Sequence, residues 1–205
     1  MTTPRVSPRE WPAIIALLLL AFALRTIDLA RVPPGLHNDE VVAAKLAERV
    51  MNGDIALFYP DDTGSEPLHY FVSGAVMRVW GSSVWALRWT SVILSLIAQC
   101  VVWALARRLF GPIVALVAMA GFAVTFWTVE FGRIVSPVVI MVPLVTLAAY
   151  LFWRGREQSR RREWLCYVLS GAALGLALLA YTAPRIIPVI FVIFGLYAAL
   201  THRDQ

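Results

Sequence analysis

Charge and cysteine are both scarce in this chain: only 15% of its 205 residues are charged and only two are cysteine, against 60% hydrophobic residues and a mean hydropathy of +0.71. So few charges exclude the surface of an ordinary soluble domain, in which about a quarter of residues are charged, and make a lipid bilayer the natural solvent. Cys100 and Cys166 both sit inside apolar runs, so they read as packing residues and not as a disulfide or a metal pair. A compact basic patch with interleaved aromatics is missing outside the apolar runs. The net charge of +5 therefore does not point to nucleic acid. Internal repeats and low-complexity tracts are missing too. A small-x-small cleavage site is also lacking after Arg5, Arg9 and the apolar stretch from Ala13 to Leu24. Because the chain runs on through Arg25 and Asp28 into Pro33-Pro34, this region reads as an uncleaved first spanning helix and not as a secretory signal.

Long apolar runs are what the chain has in abundance. Several reach about 20 residues, the length that crosses roughly 30 Å of hydrocarbon, whereas a soluble core helix accounts for only about 10 to 14. Apolar windows interrupted by charge or Pro/Gly predict six spans, at about 11–30, 85–106, 112–130, 134–153, 164–182 and 186–201. Backbone groups in lipid must be satisfied internally, so the spans are helices. The expected fold is therefore an all-α polytopic membrane protein, with tight hairpins at Gly111-Pro112 and Phe131-Gly132-Arg133.

Orientation follows from arginine. With the N-terminus cytoplasmic, the inner segments hold Arg5, Arg9, Arg107, Arg108, Arg154, Arg156, Arg160, Arg161, Arg162 and Arg203, ten of the eighteen basic residues, against four acids, Glu10, Glu157, Glu163 and Asp204. That asymmetry fits the positive-inside rule, and the arginine-rich loop WRGREQSRRREW at 153–164 reads as a topology anchor. The segment 31–84 then faces outward. It opens with a helix signal: Asn38 or Asp39 as N-cap, Val42, Leu46 and Val50 on one face, and Gly53 as a stop. This element is expected to lie on the membrane surface. A turn-rich stretch, YPDDTGSEP at 59–67, separates it from a second short, half-apolar interfacial helix in LHYFVSGAVMRVWG.

With this topology, the unexplained polar residues gather on one face: Asp39, Glu40, Glu66 and His69 from the first outer loop, Glu130 and Arg133 from the second, Tyr181 and Arg185 from the third. Ionisable groups at membrane depth usually face a cavity or a partner. Each also has a plainer reading. Asp39 caps its helix, and Glu40 points about 100° away into solvent. Glu66 and His69 flank Pro67 at a helix start, Glu130 and Arg133 pair at a hairpin tip, and Arg185 snorkels to headgroups. Taken together, carboxylates, a histidine and arginines on one membrane face resemble a site for a phosphorylated ligand.

The stretches PPGLHNDE, GSEPLHYFVSGAVMRVWG running into WALRWTSVILS, FWTVEFGRIVSPVVIMVPLVTLAAYLFWRG and LALLAYTAPRIIPVI also carry a family resemblance. Over about residues 11 to 200 the chain resembles the N-terminal half of GT-C class polyprenyl-phosphate-sugar glycosyltransferases. Within that class it is similar to glycosyltransferase families 39 and 83, the branch of protein O-mannosyltransferases and lipid A aminoarabinose transferases. The resemblance implies a polyprenyl-phosphate-linked sugar as donor and a protein or glycolipid acceptor presented on the outer face of the cell membrane. Asp39 matches the catalytic base of the first outer loop, with Glu40 its neighbour in the acidic pair. Glu66 matches a second acidic position, which in the aminoarabinose branch helps to hold a divalent metal. Arg133, Tyr181 and Arg185 resemble outer-face positions that contact the phosphate, and His69, beside Glu66 in the same polar cluster, is counted with them as a substrate-binding candidate. A single displacement with a carboxylate base would invert the anomeric centre.

Family members generally continue through further spans, so the sequence is expected to be the N-terminal part of the fold, with a second polypeptide as one source of the missing helices. A non-catalytic membrane subunit or pseudoenzyme and, further off, a small transporter are the alternatives.

Overall fold

The computed structural model describes residues 6–60, 65–158 and 160–201. Arg5, residues Asp61 to Gly64 of the turn-rich stretch, Arg203 and Asp204 lie outside the described residues. Among those described, the chain is all-α: α1 Trp11–Thr26, α2 Asn38–Met51, α3 Leu68–Trp80, α4 Val84–Phe110, α5 Pro112–Val124, α6 Phe126–Phe131, α7 Val138–Gly155, α8 Arg160–Leu178 and α9 Ile187–Thr201, with a 3₁₀ turn at Ala183–Ile186 before α9. One isolated antiparallel bridge, Tyr59 to Ser65, closes the turn-rich stretch.

Helices of 27 and 18 residues, α4 and α7, are long and apolar enough to cross a membrane on their own. Together with the mean hydropathy of +0.71, they mark an all-α membrane protein. The remaining apolar helices are shorter; α1, at 16 residues, extends about 24 Å. Each expected span coincides with a helix except the third, which is divided. Thr125 is extended (φ −62°, ψ 132°) and separates α5 from α6. A break inside an apolar run leaves carbonyls without partners, and this one supplies substitutes. The Thr125 hydroxyl donates to Gly121 O (2.7 Å), that of Thr128 donates to Phe122 O (2.6 Å), and the Arg25 guanidinium donates to the carbonyls of Phe122, Ala123 and Thr128 (3.1 Å each).

Helix α4 is the spine. Its start is capped by Ser83, whose hydroxyl accepts from Ala86 N at 3.1 Å. Its end comes at Gly111, whose φ of +88° suits glycine, and Pro112 at once begins α5 with its preset φ. It packs against α7 and α5, and also against α1 and α3, while α8 lies on α7. Charges sort to its two ends. At one end Arg107 pairs with Glu10 (3.0 Å) and Arg108 with Glu157. At the other lie Glu40, Arg88, Arg133, Glu66 and Arg185, all brought together by contacts between the three loops.

Helices α2 and α3 form a hairpin over the start of α4. Ala43, Leu46, Ala47, Tyr59, Tyr70, Met77, Leu87 and Val135 make its core, in which full burial of a side chain the size of Leu46 stabilises by about 2 kcal/mol. Gly74 permits the close approach, since a Cβ there would lie 2.9 Å from Ala47 O and from Val50 Cγ1. The apolar face of α2 packs against α3 and the start of α4, and α3 leaves an apolar groove open, along Phe71, Val72, Ala75, Val76, Val79 and Trp80.

Candidate active site

The acidic pair is divided by its position on α2. His37 is the N-cap, so Asn38, Asp39 and Glu40 are the first three helical residues and not caps themselves. Glu40 reaches back: its Oε2 accepts from His37 N at 3.1 Å, half of a capping box. Its Oε1 accepts from Val135 N at 2.9 Å and stands 3.6 Å from Arg88 Nε. At 1% exposure Glu40 is not the solvated residue that its helical direction suggests. Its Oε1 ties α2 to α4 through Arg88 and to the segment before α7 through Val135 N, while its Oε2 closes the cap of its own helix. One residue earlier, Asp39 is exposed, with the positive end of the helix dipole behind it.

Arg88 completes this anchor. Fully buried, it donates to Leu29 O (3.0 Å), Pro33 O (3.0 Å) and Gly35 O (2.6 Å), and so shapes the connection that delivers α2. Arg133, expected to face a phosphate, is turned inward and ends α1. Its Nη1 donates to Leu24 O at 2.7 Å and its Nη2 to Ile27 O at 2.8 Å, replacing the helix partners those two carbonyls lack, and Nη2 also donates to Val32 O at 2.9 Å in the connection that follows. Gly132 beside it leaves room for Arg25, whose Nε a Cβ would meet at 2.8 Å. Arg25, Arg88 and Arg133 thus form a layer of buried guanidinium groups bound to backbone oxygens. Sequence reading missed Arg25 and Arg88 as members of this set; their place at the ends of apolar runs was the available signal.

Beside the anchor is an open corner. Glu66 Oε1 accepts from Arg185 Nη2 at 2.8 Å, with the arginine side chain 64% exposed. Leu68 N donates to Leu179 O at 3.0 Å, so the first loop is tied to the end of α8, directly before Tyr181 and the 3₁₀ turn that carries Arg185. Tyr181 is partly exposed at the entrance to that turn. Tyr70, which the sequence reading left out, joins the two carboxylates. Its hydroxyl pKa is raised by burial first; a hydrogen bond with Ser65 opposes this, and the charges of Glu66 and Asp39 add to it. Asp39, Glu66, Tyr70 and Arg185 therefore share one electrostatic neighbourhood.

His69 is fully buried on the inner side of α3, edge-on to Tyr70, with neither ring nitrogen hydrogen-bonded among the described residues. Burial pushes its imidazole down to about 4, which keeps it neutral at pH 7. It lies in the wall of the corner and not on its surface.

Glu66 was also expected as a metal ligand. Among the described residues no three His, Cys, Asp or Glu side chains gather as a metal centre would require, and Glu66 is turned to a guanidinium.

In comparisons with known proteins, no curated protein and no solved structure matches the chain. One family profile, described as dolichyl-phosphate-mannose-protein mannosyltransferase, matches residues 62–205, and the chain belongs to that family.

Proposed function

From that membership, which makes the protein a membrane glycosyltransferase of the kind that draws its sugar from a lipid phosphate, we propose that the open corner of Asp39, Glu66, Tyr70 and Arg185 is its reaction centre. In this reading the corner lies on the outer face, the N-terminus and the Arg154–Arg162 loop are cytoplasmic, and the six long apolar segments are the spans. The donor is a sugar on a polyprenyl phosphate, and the acceptor is a hydroxyl, of a protein as the family description suggests. The observation that carries the proposal is the division of labour in the acidic pair: Glu40 is fastened at both oxygens while Asp39, next to it, is free at the mouth of the corner.

An alcohol is a poor nucleophile because its proton is held until late in the reaction. The Asp39 carboxylate accepts that proton as the acceptor oxygen bonds to the anomeric carbon. The bond from that carbon to the phosphate oxygen breaks with its electron pair leaving on the phosphate, so the anomeric centre inverts. A phosphate monoester departs without a general acid when its growing charge is met by a cation. Arg185 supplies a guanidinium fork of matching geometry, held at the site by Glu66 until the phosphate competes for it. Glu40, Arg88 and Arg133 act through position alone, by fixing the backbone that carries Asp39. Tyr181, at the entry to the turn of Arg185, lines the same side.

The test is to incubate membranes containing the protein with a panel of polyprenyl-phosphate sugars and acceptor peptides. One donor should be consumed by the wild type and left intact by Asp39→Asn. Full consumption by the variant would remove Asp39 from the role of base.

A further inference from the structure

At the opposite end of the bundle, the last turns of α4 and α7 and the middle of α9 enclose a pocket of about 220 Å³, lined by Leu105, Leu109, Phe152, Trp153, Ile190 and Phe194 among others. Its aromatic wall is built: Phe152 and Phe194 meet at 6.1 Å, and Trp153 and Phe194 at 6.1 Å. Over that wall lies a charge. The Arg156 guanidinium carbon is 5.4 Å from the Trp153 ring centroid and 5.9 Å from that of Phe194. The same guanidinium thus caps two of the rings that line the cavity.

Of the acids nearby, Glu157 pairs with Arg108, and Glu163 lies beside Tyr167. Arg156 has no carboxylate partner among the described residues and is exposed, as is Arg154. An apolar slot at the last turns of the two helices long enough to cross a membrane, with cationic groups and a tryptophan at its lip, is complementary to one kind of molecule. At 220 Å³ it is smaller than the roughly 300 Å³ at which sites for compact drug-sized ligands begin, but a stretch of hydrocarbon chain suits it.

We propose that this pocket binds an anionic glycerophospholipid of the bilayer, one acyl chain lying against Phe152 and Ile190 and the headgroup phosphate on Arg156. Binding is non-covalent, and the site is separate from the corner of Asp39. Stacking on Trp153 and Phe194 holds the guanidinium plane in place and leaves its N–H edge for the phosphate. A zwitterionic lipid fills the slot but brings its own cation to the same arginines, so selectivity for net negative charge is the signature of the site.

The experiment uses the full chain in phosphatidylcholine bilayers doped with spin-labelled phosphatidylglycerol or spin-labelled phosphatidylcholine, and measures the motionally restricted fraction of each by electron spin resonance. Wild type should prefer phosphatidylglycerol by about fivefold, the factor expected of one well-placed basic residue. Arg156→Gln should bring the preference to near parity, and Arg156→Lys should keep much of it. Ala149→Phe, which fills the pocket and leaves every arginine in place, should also abolish it; if that variant does not reconstitute, Ile190→Trp occupies the same space from α9. Equal association of the two lipids with wild type would overturn the proposal. So would a preference that survives pocket filling, because it would belong to the arginine loop at large and not to this site.

Discussion

Two carboxylate–arginine pairs stand near each other at one end of this bundle, and they differ in almost everything except chemistry. Glu40 and Arg88 are both buried, and each is tied to backbone groups of other elements. Glu66 and Arg185 are joined at 2.8 Å, with the arginine open to solvent and committed to nothing else among the described residues. The first pair is a fastening and the second is an offer. The difference teaches that an acid or arginine on the right face of a membrane protein is a site residue only when its hydrogen-bonding capacity is not already taken by the fold.

Substitution should separate the two pairs. The largest effect on stability is expected for Arg88→Ala, which strands the Glu40 carboxylate and three carbonyls in a buried place; loss of one partner from such a pair destabilises by about 3–5 kcal/mol. Chemical unfolding in detergent, followed by tryptophan fluorescence, would measure it. A loss below about 1 kcal/mol would mean that the anchor is dispensable.

Arg185→Gln should do the reverse. Unfolding should move by less than about 1 kcal/mol, as for other exposed ion pairs, while turnover falls about 10²- to 10³-fold with the loss of a donor to developing charge. Unchanged turnover would take Arg185 out of the mechanism and leave the open pair with no more function than the buried one.

How much of this was legible in the sequence depends on what each residue touches. Positions of helices followed from apolar length and from Gly111-Pro112, since those signals are local. The collection of Asp39, Glu66 and Arg185 was an expectation from counting spans, and their interactions with one another and with Tyr70 are what the structure adds. Illegible were the long-range partners. Nothing near Arg133 in sequence says that its guanidinium ends α1, about a hundred positions away, and nothing near Glu40 announces Val135 N. The break at Thr125 was equally hidden, because β-branched and aromatic residues in an apolar run look the same whether or not the helix continues. Tyr70 escaped notice because an aromatic at helical spacing looks like core, which most of its ring is.

His69 sharpens the contrast with a pH effect. The unfolded imidazole takes up a proton near pH 6.5, whereas the buried one refuses it until about 4. Between those values the unfolded chain binds more protons, so stability is complete above pH 6.5 and is lost as pH falls toward 4, by about 3 kcal/mol in all. Melting temperature against pH should show this slope in wild type and a flatter one in His69→Phe. Parallel slopes would assign the acid sensitivity to other groups.

A smaller loss is expected at Gly74. Alanine there forces a Cβ to 2.9 Å from Ala47 O and Val50 Cγ1, and overpacking of that order destabilises by about 1–3 kcal/mol. The hairpin of α2 and α3 should loosen, so transfer should fall along with melting temperature; a fall in neither would mean that the two helices part without consequence for Asp39.

The division within the acidic pair is tested most directly by comparing Asp39→Asn with Glu40→Gln in one assay of donor consumption and one of unfolding. Asp39→Asn should unfold like wild type and transfer no sugar, while Glu40→Gln should be destabilised, with whatever fraction remains folded still active. Retained transfer in Asp39→Asn, or a Glu40→Gln protein that is stable yet inactive, would contradict the account by exchanging the roles of the two carboxylates.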